Sequence, residues 1–108
     1  MTPNEYQKEA LRTASGMSKE YPRILNGLMG EAGECIDILK KHLYQGHAFD
    51  SEHMAKELGD VAWYLAISAE AIGYDLETIF QMNIDKLRAR YPDGFDADHS
   101  LHRRANDI

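Results

Sequence analysis

The sequence predicts an all-α protein, a compact bundle of about four helices. Apolar residues recur three and four positions apart in four separate segments, which is the period of an amphipathic helix. Capping residues and helix-ending glycines or prolines separate these segments. Short alternations of apolar and polar residues occur, but none is bounded by turn residues as a strand would be. With 108 residues the chain has room for one domain, residues 1–108. Its core is modest, so help from a partner subunit would be unsurprising.

The first helix is expected to begin at Pro3. Thr2 is suited to cap it and Glu5 to complete a capping box. Gly16 marks its expected end, and residues 18–22 are expected to form a connection because the residue before a proline is disfavoured in helical geometry.

The second helix is predicted over residues 24–43. Its apolar stripe consists of Leu25, Leu28, Met29, Ala32, Cys35, Ile36, Leu39 and Leu43. Gly27, Gly30 and Gly33 each cost a helix about 0.5–1 kcal/mol relative to Ala. Because they lie beside acidic residues, they indicate close approach of another backbone or of a ligand. A helix that begins late or frays is the alternative.

The third helix is expected to be capped by Asp50 or Ser51 and to end at Gly73. The loop over residues 44–50 is short, so the second and third helices are predicted to pack antiparallel.

A fourth helix is predicted to begin after Asp75 and to end before Pro92. Residues 24–91 are the expected core of the domain, and residues 92–108 are expected to form an irregular tail.

Two acidic pairs stand out. Glu31 and Glu34 are three residues apart on the second helix, and Glu57 and Asp60 have the same spacing on the third. Residues at this spacing share a helix face, and antiparallel packing lets the two faces meet. Acids this close repel, so a cation is expected between them, and oxygen ligands favour Mg²⁺ or Mn²⁺ over Zn²⁺. A solvated acidic face is the alternative.

A di-iron site of the ferritin type is a competing interpretation of paired helical acids. It requires Glu-x-x-His pairs. No histidine stands three residues after a Glu here, and all five are interpreted as surface residues: His42, His47, His53, His99 and His102.

Two further groups are candidates for binding a substrate. Asn83, Lys86 and Arg90 share one face of the fourth helix and suit phosphate and sugar oxygens, although an ordinary polar face is the simpler interpretation. Trp63 falls away from the main apolar stripe, so a ligand or subunit contact competes with core packing as its role.

Composition limits the function classes. The net charge of -6 argues against binding to a nucleic-acid polymer, which requires a basic surface. No apolar run is long enough for a membrane span, and the N-terminus lacks the features of a signal peptide. One cysteine, Cys35, allows no intrachain disulfide. A cytoplasmic location is expected.

The acidic pairs also carry a family resemblance. EAGE at residues 31–34, ELGDVAWYL at residues 57–65 and the segment over residues 83–95 are similar to the MazG-like branch of the all-α nucleoside triphosphate pyrophosphohydrolases. The resemblance implies a Mg²⁺-dependent enzyme, assembled as a homodimer or homotetramer. It would hydrolyse an NTP or dNTP to the monophosphate and pyrophosphate, as a house-cleaning activity on the nucleotide pool.

The resemblance also assigns roles to residues. The implied metal ligands are Glu31, Glu34, Glu57 and Asp60. One of the acids would accept a proton from the attacking water, with Glu34 the first candidate and Glu31 the second. The implied substrate contacts are Asn83, Lys86, Arg90 and, more weakly, Tyr91. Hydrolysis of phosphoribosyl-ATP in histidine synthesis is an alternative that shares the metal motif, and a non-catalytic helical regulatory or assembly module is another.

Overall fold

A computed structural model describes residues 1–14 and 21–102 of the chain, apart from the side chains of residues 21–23 and 99. Its elements are α1 (Pro3–Leu11), α2 (Tyr21–Tyr44), α3 (Ser51–Ala71), α4 (Leu76–Arg90) and the short α5 (Ala97–Leu101). The described residues contain helices and no strand. The predicted all-α class with four main helices is confirmed. None of the described helices is both long enough and apolar enough to cross a membrane.

Side-chain caps begin α1, α3 and α4. Thr2, Asp50 and Asp75 each accept a hydrogen bond from the backbone N–H three residues later, at 3.1, 3.0 and 2.7 Å. These bonds satisfy N–H groups that have no partner within the helix. Asp50 rather than Ser51 is therefore the cap of α3. Gly73 follows the end of α3 with φ +85°, the left-handed conformation expected after a helix.

Two boundaries differ from the prediction. The second helix begins at Tyr21 rather than near Ile24. Pro22 lies in the first helical turn, where the N–H that proline lacks has no helical acceptor. The first helix ends at Leu11, and Gly16 and residues 18–20 of the predicted connection lie outside the described residues.

The predicted irregular tail is corrected over residues 97–101, which form α5. Asp96 caps this helix by accepting a hydrogen bond from the backbone N–H of Asp98 at 2.8 Å. Residues 103–108 lie outside the described part of the chain.

The second and third helices pack antiparallel, as predicted. Gly27 near the start of α2 faces Tyr64 in the second half of α3. Further along α2, Glu31 lies beside Asp60. The C-terminal end of α2 lines a cavity together with the first turn of α3. Residue numbers therefore fall along α3 as they rise along α2.

The core lies where α1 and the start of α2 meet the C-terminal half of α3 and the start of α4. Its buried apolar residues are Ala10, Ala14, Ile24, Ala66, Ile67, Ala69 and Leu76. Gln7 is the buried polar residue of this region. Its Nε2 donates to the carbonyl of Tyr74 at 3.0 Å, and its Oε1 accepts from the backbone N–H of Leu76 at 2.9 Å. These bonds attach α1 to the α3–α4 turn.

The apolar stripe predicted on α2 is not buried as a unit. Met29 and Ile36 are 64% and 67% exposed, although they lie on the side of the helix expected to face the core. Five stripe residues are exposed: Leu25, Met29, Ile36, Leu39 and Leu43. Cys35, another residue of the stripe, is half-buried. A helix in contact with one neighbour covers only part of a wide stripe, and α2 packs mainly on α3.

Candidate metal centre

Three carboxylates converge between α2 and α3. Glu31, Glu57 and Asp60 each place a carboxylate oxygen within 4.8 Å of the others. The i, i+3 spacing puts Glu57 and Asp60 on one face of α3, and antiparallel packing brings Glu31 of α2 against them. Glu31 and Glu57 are half-buried and Asp60 is exposed. We call these three residues the acidic triad.

The triad carries unfavourable like-charge interactions. Partial burial raises the pKa of the Glu31 carboxyl above its usual range, and the negative charge of Asp60 and a hydrogen bond with Glu57 raise it further. A divalent cation would reverse this effect, because it favours the ionised form of each carboxylate. The triad contains no histidine or cysteine, and carboxylate oxygens are the donors that Mg²⁺ and Mn²⁺ prefer. The residues present therefore fit such an ion.

The fourth predicted acid, Glu34, lies one helical turn beyond Glu31. It is exposed and lines a polar cavity of about 350 Å³ between the end of α2 and the start of α3. The polar residues that share this cavity are Asp37, Lys41, His47, Asp50 and His53. The structure thus brings three of the four predicted acids together, and the fourth lines the cavity between the end of α2 and the start of α3.

Two residues near the triad were missed by the sequence analysis. His53 is exposed, as predicted for the histidines, but its Nε2 lies 3.3 Å from Oε1 of Glu57. Its i, i+4 spacing from Glu57 was the available signal. Tyr6 of α1 is the second. Burial raises the pKa of its hydroxyl, and the nearby negative charge of Asp60 raises it further. No local pattern connects Tyr6 with Asp60, since they are far apart in the chain.

The predicted substrate residues lie on α4 and at the residue that follows it. Asn83 is exposed, and Lys86, Arg90 and Tyr91 are half-buried. The guanidinium carbon of Arg90 lies 6.0 Å from the ring centre of Tyr91. The acidic triad and the polar cavity are lined by α2, α3 and their connecting loop, so α4 does not contribute to their lining. The proposed substrate role of these four residues stays a prediction.

Trp63 has a packing role in the structure. Its half-buried ring packs against the core and lies edge-on to Tyr64, with the ring centres 5.0 Å apart. Its indole N–H donates to Oγ1 of Thr13 at 2.9 Å. These contacts attach α3 to the turn after α1, in agreement with the core-packing interpretation. A substrate contact by Trp63 stays a prediction.

Comparison with known proteins connects this geometry to a family. The MazG nucleotide pyrophosphohydrolase domain matches residues 19–95, a range that contains all four predicted acids and the whole of α2, α3 and α4. The Gene 37 protein of Mycobacterium phage L5 is 38% identical over 68 residues, which are 59% of this chain and 60% of that protein. The match thus spans about three-fifths of the phage protein. No solved structure matches the chain. This chain belongs to the MazG nucleotide pyrophosphohydrolase family.

Proposed function

We propose that this protein is a Mg²⁺-dependent nucleoside triphosphate pyrophosphohydrolase. It hydrolyses an NTP or dNTP to the nucleoside monophosphate and pyrophosphate, and it acts on a non-standard or surplus nucleotide. The observation that carries the proposal is the acidic triad, which lies on facing helices within the region matched by the family domain.

The chain's own acids have distinct proposed tasks. Glu31, Glu57 and Asp60 hold the divalent ion, with Mn²⁺ as an acceptable substitute for Mg²⁺. The bound ion supplies charge neutralisation on the phosphates and lowers the pKa of water. Glu34 lines the adjoining cavity. It is exposed to solvent and is our first choice as the acceptor of the water's proton, with additional metal binding as its second role.

The cationic face of α4 is the proposed substrate-binding surface. Asn83, Lys86 and Arg90 would contact phosphate and sugar oxygens, with Tyr91 beside them. A second copy of the chain is part of the proposal, because the apolar face of α2 is exposed in one chain. The protein would thus act as a homodimer or a homotetramer.

The decisive experiment measures pyrophosphate release by the purified protein with Mg²⁺ across a panel of standard, deoxy, methylated and deaminated nucleoside triphosphates. Release from one or a few substrates is expected, with nucleoside monophosphate as the co-product. Monophosphate and pyrophosphate in equal amounts identify cleavage between the α and β phosphates. Activity confined to phosphoribosyl-ATP would replace the proposed substrate, and inactivity of the folded, metal-loaded protein on both would favour a non-catalytic module.

Two variants test the assignment of the acids. Glu34→Gln and Asp60→Asn are each expected to reduce turnover by about a hundredfold or more, since each removes a charge at the reacting centre. Glu52→Gln is the matched control, because Glu52 is an exposed acid of α3 whose partner is Lys56, at 3.6 Å. Circular dichroism should show an unchanged helical fold in all three variants. Retained activity in both test variants would contradict the assignment.

A further inference from the structure

The proposed function leaves unexplained a contact at the edge of the acidic triad. Nε2 of His53 lies 3.3 Å from Oε1 of Glu57, one turn further along α3. The position of His53 is itself defined, because its backbone N–H donates to the capping carboxylate of Asp50 at 3.0 Å. The cap, the histidine and the triad acid therefore form a continuous series of contacts along the first two turns of α3.

A partner for Glu57 would oppose the repulsion that its carboxylate experiences from neighbouring acids. Its carboxylate faces Glu31 and Asp60, and three carboxylates this close repel one another. Its side chain is 19% exposed, whereas that of His53 is 55% exposed, so the imidazole is the more solvent-exposed partner of this contact. An acid with like charges on one side and solvent on the other would gain hydration by rotating outward. The His53 imidazole, whose Nε2 lies 3.3 Å from Oε1 of Glu57, offers a nitrogen to this carboxylate and can oppose such a rotation.

We propose that His53 is a positioning residue for the metal centre. It holds the Glu57 carboxylate towards Glu31 and Asp60, so that a divalent cation meets a preformed set of oxygen ligands. The inference rests on the proposed function, which gives the triad its metal. It adds to the metal centre a residue outside the two acidic pairs. It also gives a role to a histidine that the sequence alone indicated to be an ordinary surface residue.

The loss of metal affinity expected on removal of the His53 imidazole follows from the exposure of this side chain. Partners that orient metal ligands typically change metal affinity by about 10–100-fold when they are removed. The His53 side chain is more than half exposed, so water competes for the same carboxylate oxygen. Loss of its imidazole should therefore weaken metal binding by about tenfold, the lower end of that range.

The test measures Mn²⁺ binding to the metal-free protein by electron paramagnetic resonance of the free ion, without substrate. His53→Ala should raise the Kd for Mn²⁺ by about tenfold. His53→Gln should restore most of the affinity, because its side-chain amide can donate to Glu57 at the same i, i+4 spacing. His42→Ala is the matched control. His42 is also an exposed histidine, but its ring contacts the carbonyl of His47, at 3.0 Å, and the ring of Phe49.

The outcomes separate this inference from the proposed function. Equal affinity in His53→Ala and the wild type, or equal losses in His53→Ala and His42→Ala, would overturn the positioning role while the metal site stands. Failure of His53→Gln to recover affinity would also overturn the positioning role. The loss of affinity in His53→Ala would then not depend on a side-chain donor to Glu57. If the wild type binds no Mn²⁺, or binds it as well after Asp60→Asn, the metal site itself is wrong and the inference falls with it.

Discussion

At the scale of one residue, Glu31 shows how close carboxylates in the candidate site lower the stability of the folded protein. It is the one acid that α2 adds to the triad, and its pKa is raised by partial burial and by the two acids of α3. The folded protein therefore holds the Glu31 proton more tightly than the unfolded chain, in which the carboxyl has its ordinary pKa of 4.5. By linkage, the favourable contribution of Glu31 to the free energy of unfolding is fully present below that pKa. It is lost as the pH rises through the raised pKa of the folded protein.

Glu31→Gln should remove this pH dependence. Without metal, the variant should be more stable than the wild type above the raised pKa, and the difference should shrink as pH falls towards 4.5. Thermal unfolding followed by circular dichroism from pH ~4 to ~8 in chelator measures the difference in Tm. Comparing the two proteins at each pH cancels the contributions of other carboxylates, such as Asp37 and Asp75, whose pKa values are lowered. A difference in Tm that does not vary with pH would contradict the account.

Added Mg²⁺ should change the order of stability of the same two proteins. A ligand that binds only the folded state stabilises it more as its affinity rises, so the wild type should gain more than Glu31→Gln, which lacks one carboxylate. The measurement is the shift in Tm on Mg²⁺ addition at neutral pH, with Glu52→Gln as the control that should respond like the wild type. Equal shifts in Glu31→Gln and the wild type would mean that Glu31 does not bind the ion.

At the scale of elements, the packing of α2 on α3 depends on one glycine. A Cβ at Gly27 would overlap the ring of Tyr64, so this position requires the absence of a side chain. The predicted close approach is therefore real at Gly27, but the approaching group is a tyrosine ring rather than a backbone or a ligand. At Gly30 and Gly33 no backbone of the described chain approaches, since a Cβ there would meet no atom within 4 Å, and the approach of a ligand at these two positions stays a prediction.

Substitution of these glycines should give opposite results. Gly27→Ala must displace the half-buried Tyr64 ring and is expected to lower the free energy of unfolding by about 1–3 kcal/mol. Gly33→Ala is the matched control on the same helix. It adds no contact and restricts the unfolded chain, so it is expected to raise the free energy of unfolding by about 0.5–1 kcal/mol. Urea unfolding of both variants measures these values, and a stabilising Gly27→Ala would contradict the close packing of α2 on α3.

At the scale of the whole molecule, one chain is more extended than its length requires. Its radius of gyration is 17.0 Å. A compact domain of about 100 residues has a radius of gyration near 13 Å. The exposed apolar residues of α2 are unfavourable in water. Large apolar patches on soluble proteins usually mark contact surfaces, so these residues indicate one. Association of two copies through α2 would bury them.

The proposed assembly has a direct test. Size-exclusion chromatography with light scattering should give a mass of two or four times the 12.3 kDa of the chain. Ile36→Lys, in the exposed face of α2, should shift the protein towards monomer because it places a charge at the contact. Leu101→Lys is the control, since Leu101 is also exposed and belongs to a different helix, α5. A monomeric wild type, or equal dissociation by both substitutions, would contradict assembly through α2.

Much of the fold could be predicted because helices are local structures. Thr2, Asp50 and Asp75 cap their helices through bonds to a backbone N–H three residues away, and such bonds are visible in the order of the residues. The same applies to the two acidic pairs, whose i, i+3 spacing places each on one helix face whatever the helix packs against. The all-α class, the four main helices and the antiparallel pair follow from this local information and from the short loop between α2 and α3.

The tertiary structure decided what the spacing left open. Glu31 joins Glu57 and Asp60 while Glu34, one turn further along α2, lines the adjoining cavity, because the position of α2 along α3 decides which of its two acids lies level with the pair on α3. Likewise, the position of Tyr6 near Asp60 depends on where α1 crosses α3. The α2 stripe shows the same limit, since periodicity identifies an apolar face but not how much of it one neighbouring helix covers. Such features depend on contacts between residues distant in the chain, and these form only when the helices pack.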